Sequence, residues 1–197
     1  MDRPGYDRVA IALHWVVAIA VLAQLAFGWY LTDVPRGSPE RAPLVNLHKS
    51  IGLAIWLTVA IRLGWRWSHR PPPSGGPAWQ RVAARATHAV LYAALFTMPL
   101  AGYLASNFSK HGILLFGLVR LRPWGRDDAS LYALFNGFHV AAAWVLAAFL
   151  ALHLAAALYH AWKRDGVLDR MWPHGLLFRK THHDSARSRR VPALRSE

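Results

Sequence analysis

Histidine supplies most of the chemistry open to this chain. Its 197 residues include eleven His and no Cys. Without thiols there is no disulfide, thiolate metal site, iron–sulfur cluster or Cys-x-x-Cys-His attachment. Metal ligation therefore falls mainly to imidazole, the commonest metal ligand and a proton carrier near neutral pH. Six of these residues lie in or at the edge of long apolar runs: His14, His48, His88, His139, His153 and His160. An ionisable group inside a membrane helix is costly and faces the bundle interior or a water-filled cavity. His69, His111, His174, His182 and His183 fall in loops or the tail and read as solvated. The His182-His183 pair is too short and isolated for a metal site.

The elements that must position these side chains are membrane helices. The chain is 54% hydrophobic and 17% charged, with ten Trp and a mean hydropathy of +0.18. Soluble domains carry about 25% charged residues, so disorder is excluded and an ordinary soluble enzyme disfavoured. The net charge of +13 raises the question of nucleic acid. The basic residues sit between and after the apolar runs, however, which points to membrane lipid and to no nucleic-acid partner. Four runs meet the roughly 20 residues a spanning helix needs: residues 9–31, 46–67, 83–105 and 131–162. They show no alternation of period two, and in lipid only helices or closed barrels satisfy the backbone. The expected fold is all-α, an integral membrane four-helix bundle over residues 1–173, followed by a basic, disordered cytoplasmic tail at 174–197. The first run follows Arg3 and Arg8 and ends near Ala26-Phe27-Gly28, like a signal peptide. It is longer than the roughly 7–15 residues of a signal core, so it reads as a retained helix.

The connections set the orientation. Pro71-Pro72-Pro73 and Gly75-Gly76-Pro77 make the second loop, 68–82, a stiff break. The longest loop, 106–130, carries Lys110, Arg120, Arg122 and Arg126 beside Asp127 and Asp128. Lys and Arg are more numerous in the N-terminus, second loop and tail than in the first and third loops. The excess marks the inside, so both termini are expected in the cytoplasm. Trp65, Trp67 and Trp162 then fall at the inner interface and Trp29 near the outer one.

Helix geometry sorts the histidines by depth. His139 and His153 are fourteen residues apart, which puts them on one face of the fourth helix about 21 Å apart. In the antiparallel first and second helices, His14 and His48 differ in depth by roughly 22 Å. The matching pairs are His48 with His139 near the outer face and His14 with His153 near the inner face. Two imidazoles at one depth on facing helices can ligate a haem iron from both sides. The Ala-rich fourth helix (Ala141-Ala142-Ala143, Ala147-Ala148, Ala155-Ala156-Ala157) suits a large apolar plate. Lys49, Arg62 and Arg8 are candidates for the haem propionates. The alternative is that each His simply hydrogen-bonds across helices. His160 lies on the face of His153, about 10 Å nearer the cytoplasm, where it could bind a quinone oxygen and pass protons. Otherwise it is an interfacial group exposed to water or head groups. His88 reads as bonding to a bundle neighbour, with membership of that site as the alternative.

The order and spacing of several short motifs resemble the bacterial cytochrome b561 family. They are Leu13-His14-Trp15, Leu47-His48-Lys49-Ser50-Ile51-Gly52, His88-Ala89-Val90-Leu91-Tyr92 and Met98-Pro99-Leu100-Ala101-Gly102-Tyr103. Phe138-His139, the stretch Leu152-His153 to Tyr159-His160, and Leu168-Asp169-Arg170-Met171-Trp172-Pro173 complete the set. The resemblance covers about residues 5 to 173. It implies two non-covalent b haems with bis-His ligation, His14 and His48 each giving one ligand and the fourth helix two. It further implies residence in the bacterial inner membrane and electron transfer between the periplasmic side and the quinone pool. Some relatives resemble superoxide oxidases that reduce ubiquinone. In that version Lys110, Arg120, Arg122 and Arg126 would steer the anion, unless Asp127 and Asp128 neutralise them or lipid head groups take them. The other readings are a haem-containing anchor subunit for a dehydrogenase or hydrogenase, and a haem-free scaffold or small transporter.

Overall fold

The computed structural model describes residues 6–69 and 76–172. Arg3, the Pro71-Pro72-Pro73 break, Pro173, His174, His182-His183 and the expected tail lie outside them. Four helices run in order: α1 (Arg8–Asp33), α2 (Arg41–Ser68), α3 (Ala78–Asn107) and α4 (Ala129–Lys163). All four are long and apolar enough to cross a membrane. A two-stranded hairpin, β1 (Ile113–Leu115) and β2 (Val119–Leu121), lies between α3 and α4, and a short 3-10 turn, Leu168–Arg170, follows α4.

Two helices begin five residues earlier than the apolar runs suggest. In α2 the added turn holds Pro43, which the first turn of a helix tolerates because its N–H would have no partner there. In α3 the N-cap is Pro77, and the polar turn at Gln80 and Arg81 is helical as well. Side-chain caps fix the other starts. Asp7 accepts from Ala10 N at 2.9 Å, and Asp128 accepts from the amides of Ser130 and Leu131. Burial pushes the Asp7 carboxyl up, but its hydrogen bonds from Ala10 and Trp65 hold it below the ordinary value.

The core is thin, as befits a bundle in lipid. Val17, Val21, Leu25, Ile55, Val59, Leu91, Ala94 and Leu146 form its buried cluster. Most of the apolar surface of α4 faces outward, including Leu134, Phe138, Trp144 and Leu158. Pro99 lies inside α3, which continues through it, and the Phe96 carbonyl three residues before it accepts a bond from Trp56 Nε1 at 3.0 Å. At the end that carries the described termini, Trp65 Nε1 binds Asp7 and Trp15 Nε1 binds the Met171 carbonyl. The last segment is thereby fastened to the first helix.

The hairpin replaces what reads in the sequence as loop. Ile113 faces Leu121 and Leu115 faces Val119. Gly112 adopts φ +59°, and a Cβ there would lie 2.6 Å from the Leu121 carbonyl, so only glycine fits. Side chains of α2 hold the hairpin down. Asn46 Oδ1 accepts from Leu114 N at 3.0 Å, Ser50 Oγ from Phe116 N at 2.9 Å, and Lys49 Nζ donates to the Gly112 carbonyl at 3.0 Å. Ser50 is completely buried. Ser50→Ala is expected to leave the Phe116 amide unpaired and to cost about 1–3 kcal/mol. A lowered melting temperature and faster hydrogen exchange at Phe116 check this.

Candidate functional site

Four histidines from three helices meet in two pairs. His14 of α1 and His153 of α4 have ring centroids 6.3 Å apart, with planes inclined by 71°. His48 of α2 and His139 of α4 are 6.2 Å apart, inclined by 80°. Each ring is partly buried.

Around the His48–His139 pair the helices leave space. A cavity of about 1290 Å³ is lined by both histidines and by Leu25, Gly28, Gly52 and Gly102, among others. That is larger than the roughly 300–1,000 Å³ of a typical ligand pocket. Glycines seat both imidazoles. A Cβ on Gly28 would sit 3.3 Å from His48 Cε1, and one on Gly102 only 2.9 Å from His139 Nδ1. His139 Nδ1 lies 2.8 Å from the Met98 carbonyl. A carbonyl can only accept, so Nδ1 carries the proton and Nε2 keeps its lone pair, as a metal-binding histidine requires. Gln24 Nε2 donates to the His48 carbonyl at 2.6 Å. Among the described residues, His48 Nδ1 and Gln24 Oε1 are buried without a partner.

The His14–His153 pair is more crowded. Arg62 Nη1 lies 3.0 Å from His14 Nδ1, while Arg62 Nε donates to the Tyr92 hydroxyl at 3.0 Å. Arginine only donates, so His14 Nδ1 is the acceptor in this arrangement. His88 of α3 packs its ring 5.4 Å from that of His153. The pair at this end is thus a cluster of three histidines and an arginine.

His160 stands apart from both pairs in its contacts. Its Nδ1 is 2.6 Å from Asp165 Oδ2, and its ring abuts Tyr159. The hydrogen bond from His160 holds the Asp165 carboxyl below its usual range. Asp165 and Tyr92 are the partners that sequence spacing alone does not single out, while Arg62, a propionate candidate from the sequence, instead lies on His14 and Tyr92. For Asp165 a signal exists: an acid just beyond the Lys163 helix end, five residues after His160. At the hairpin end, Lys110 is paired with Asp127 at 3.5 Å. Arg120, Arg122 and Arg126 are exposed.

Comparison with known proteins places this architecture. A family model described as prokaryotic cytochrome b561 matches residues 5–174. Cytochrome b561 homolog 2 of Escherichia coli (strain K12) is 35% identical over 173 residues, 84% of this chain and 90% of the relative. Cytochrome b561 homolog 1 of the same organism is 30% identical, covering 85% and 97%. Cytochrome b562 of Cereibacter sphaeroides is 30% identical, covering 86% and 96%. The chain belongs to the prokaryotic cytochrome b561 family. It is a multi-pass membrane cytochrome of the b type, and the family implies haem b.

The glycine seats give a direct test of the site. Gly102→Ala is expected to push the His139 ring off the Met98 carbonyl and to diminish the b-type absorption spectrum. Gly137→Ala, on the same helix as His139 but with nothing within 4 Å of its Cβ, should leave the spectrum unchanged.

Proposed function

We propose that this protein holds two non-covalent haem b groups, one ligated by His14 and His153, the other by His48 and His139. The observation that carries the reading is the ring separation. Metal–nitrogen bonds run about 2.0–2.1 Å, and a five-membered ring with bonds near 1.33 Å puts each nitrogen about 1.13 Å from its centroid. Two imidazoles on opposite sides of one metal are therefore about 6.3–6.5 Å apart between centroids. Separations of 6.3 and 6.2 Å fit that value. The His88–His153 distance of 5.4 Å does not, and is an ordinary edge contact.

The two sites fit differently. At His48–His139 the cavity, the glycine seats and the Met98-oriented tautomer all suit a porphyrin. At His14–His153 ligation through Nε2 needs the proton on His14 Nδ1, so Arg62 must give up its bond there and find another acceptor. Bound haem supplies one-electron transfer, here between the periplasmic side and the quinone pool, with ubiquinone as the acceptor. The surrounding residues set burial, ligand orientation and local charge, which tune the potentials. With both termini cytoplasmic, His48–His139 is the outer site in the bacterial inner membrane.

His160 is proposed to bind a quinone oxygen and deliver its proton. Asp165 accepts from Nδ1–H, so Nε2 would take up a proton from the cytoplasmic side and pass it to the quinone oxygen, with the carboxylate orienting the ring. Because the Asp165 pKa is depressed, the charge that holds His160 persists above the ordinary aspartate value of about 3.9 and is lost as pH falls through the lowered one. Superoxide is the proposed periplasmic donor, drawn by Arg120, Arg122 and Arg126, with Lys110 partly neutralised by Asp127.

Purified protein should carry about two haems per chain, and His48→Ala or His139→Ala should remove about one. A His139→Ala protein that keeps two bis-His haems overturns the pairing. Asp165→Asn is expected to slow quinone reduction by about tenfold or more at unchanged haem content, measured as reoxidation of the reduced protein by ubiquinone. Superoxide generated over the oxidised protein should reduce its haem, and an unchanged spectrum discards that donor.

A further inference from the structure

Arg62 and Arg66 sit one helical turn apart on α2, and both guanidiniums pack on the same Tyr92 ring, at 5.8 and 5.9 Å from its centroid. Like charges at this spacing repel, and a charge at the edge of lipid is costly without a counter-charge. Among the described residues Asp127 faces Lys110 and Asp165 faces His160, and no carboxylate lies within 4 Å of either arginine. Asp7, which reaches the same corner, is taken up by Trp65 and by capping α1. Tyr92 fixes the position by accepting from Arg62 Nε. A cleft of about 20 Å³ runs between Tyr6, Arg62, Arg66 and Tyr92, which is room for one water-sized polar group.

We propose that Arg62, Arg66 and Tyr92 form a clamp for one oxyanion, a carboxylate or a phosphate, beside the His14–His153 pair. The clamp rests on the haem reading of that pair in one respect: the carboxylate would be a propionate of the haem bound there. The phosphate would be that of an anionic phospholipid head group, whose charge is not offset by an ammonium of its own as choline offsets it in phosphatidylcholine. Planar guanidiniums suit both, since each presents paired donors to two oxygens. The acceptor that Arg62 needs once His14 turns Nε2 to a metal is the same anion.

The test uses the haem-loaded protein in nanodiscs, of phosphatidylcholine alone or with phosphatidylglycerol. Wild type, Arg62→Gln, Arg66→Gln and Arg62→Lys are compared. Two quantities are read: the haem-propionate bending mode in resonance Raman spectra, and the midpoint of each haem. If the anion is a propionate, the glutamine variants shift that mode for one haem in both lipids. They also move its reduction equilibrium about tenfold toward the oxidised form, about 59 mV for one electron, and Arg62→Lys restores part of both. If the anion is a lipid phosphate, phosphatidylglycerol shifts the wild-type midpoint, the glutamine variants abolish that response, and the propionate mode stays put. Glutamine variants that retain both haems and change neither quantity in either lipid overturn the clamp. Should a glutamine variant fail to fold, Tyr92→Phe, which removes only the hydroxyl that holds Arg62, must shift the same quantities in the same sense. A wild-type protein with only one haem fails the underlying reading before any variant is compared. In that case a melting temperature indifferent to phosphatidylglycerol overturns the phosphate arm too.

Discussion

A helix in lipid has no freedom in its rise. Each backbone N–H must find its carbonyl four residues back, so every residue advances 1.5 Å and turns 100°. The spacing of His139 and His153 therefore becomes a fixed distance along α4, and the partners on α1 and α2 must sit at matching depths. That constraint governs the rest of the molecule. The glycines at 28 and 102 let neighbouring helices come close enough for the rings to be seated. The caps, the Trp15 and Trp65 bonds and the hairpin fasteners stop the helices from sliding out of register.

The two ends of the bundle treat their histidines in opposite ways. One surrounds them with volume and small residues, and orients His139 with a backbone carbonyl. The other surrounds them with charge and aromatic rings: Arg62, Arg66, Tyr92 and His88. If each pair holds a haem as proposed, these unlike surroundings would give the two groups different electron affinities, since burial and nearby charge are the protein's levers.

Much of this was legible in the amino-acid order, and what was not has physical causes. The four spans follow from apolar length, and the meeting of His14 with His153 and His48 with His139 follows from helix arithmetic. The early starts of α2 and α3 escape that arithmetic because their first turns, with Arg41 and Pro43 or Gln80 and Arg81, lie outside the apolar runs and carry no side-chain cap that a motif would announce. The hairpin escapes because three-residue strands are too short to show an alternation, and its hold on α2 is made by Asn46 and Ser50, residues without a distinctive spacing. The Arg62–Tyr92 contact is set by how α2 leans on α3, a rotation that no single helix encodes. Asp165 could be seen in the sequence, but only its distance to His160 gives it a purpose.

The length of α4 has a consequence for where this protein is at ease. Its 35 residues span about 52 Å, against a hydrocarbon slab of about 30 Å. The excess obliges α4 to lean, to project beyond the head groups, or to stretch the lipids around it. Because α4 contributes one imidazole to each pair, any change in its slope alters both at once, in opposite directions about its midpoint. Bilayer thickness thus acts mechanically on both histidine pairs together.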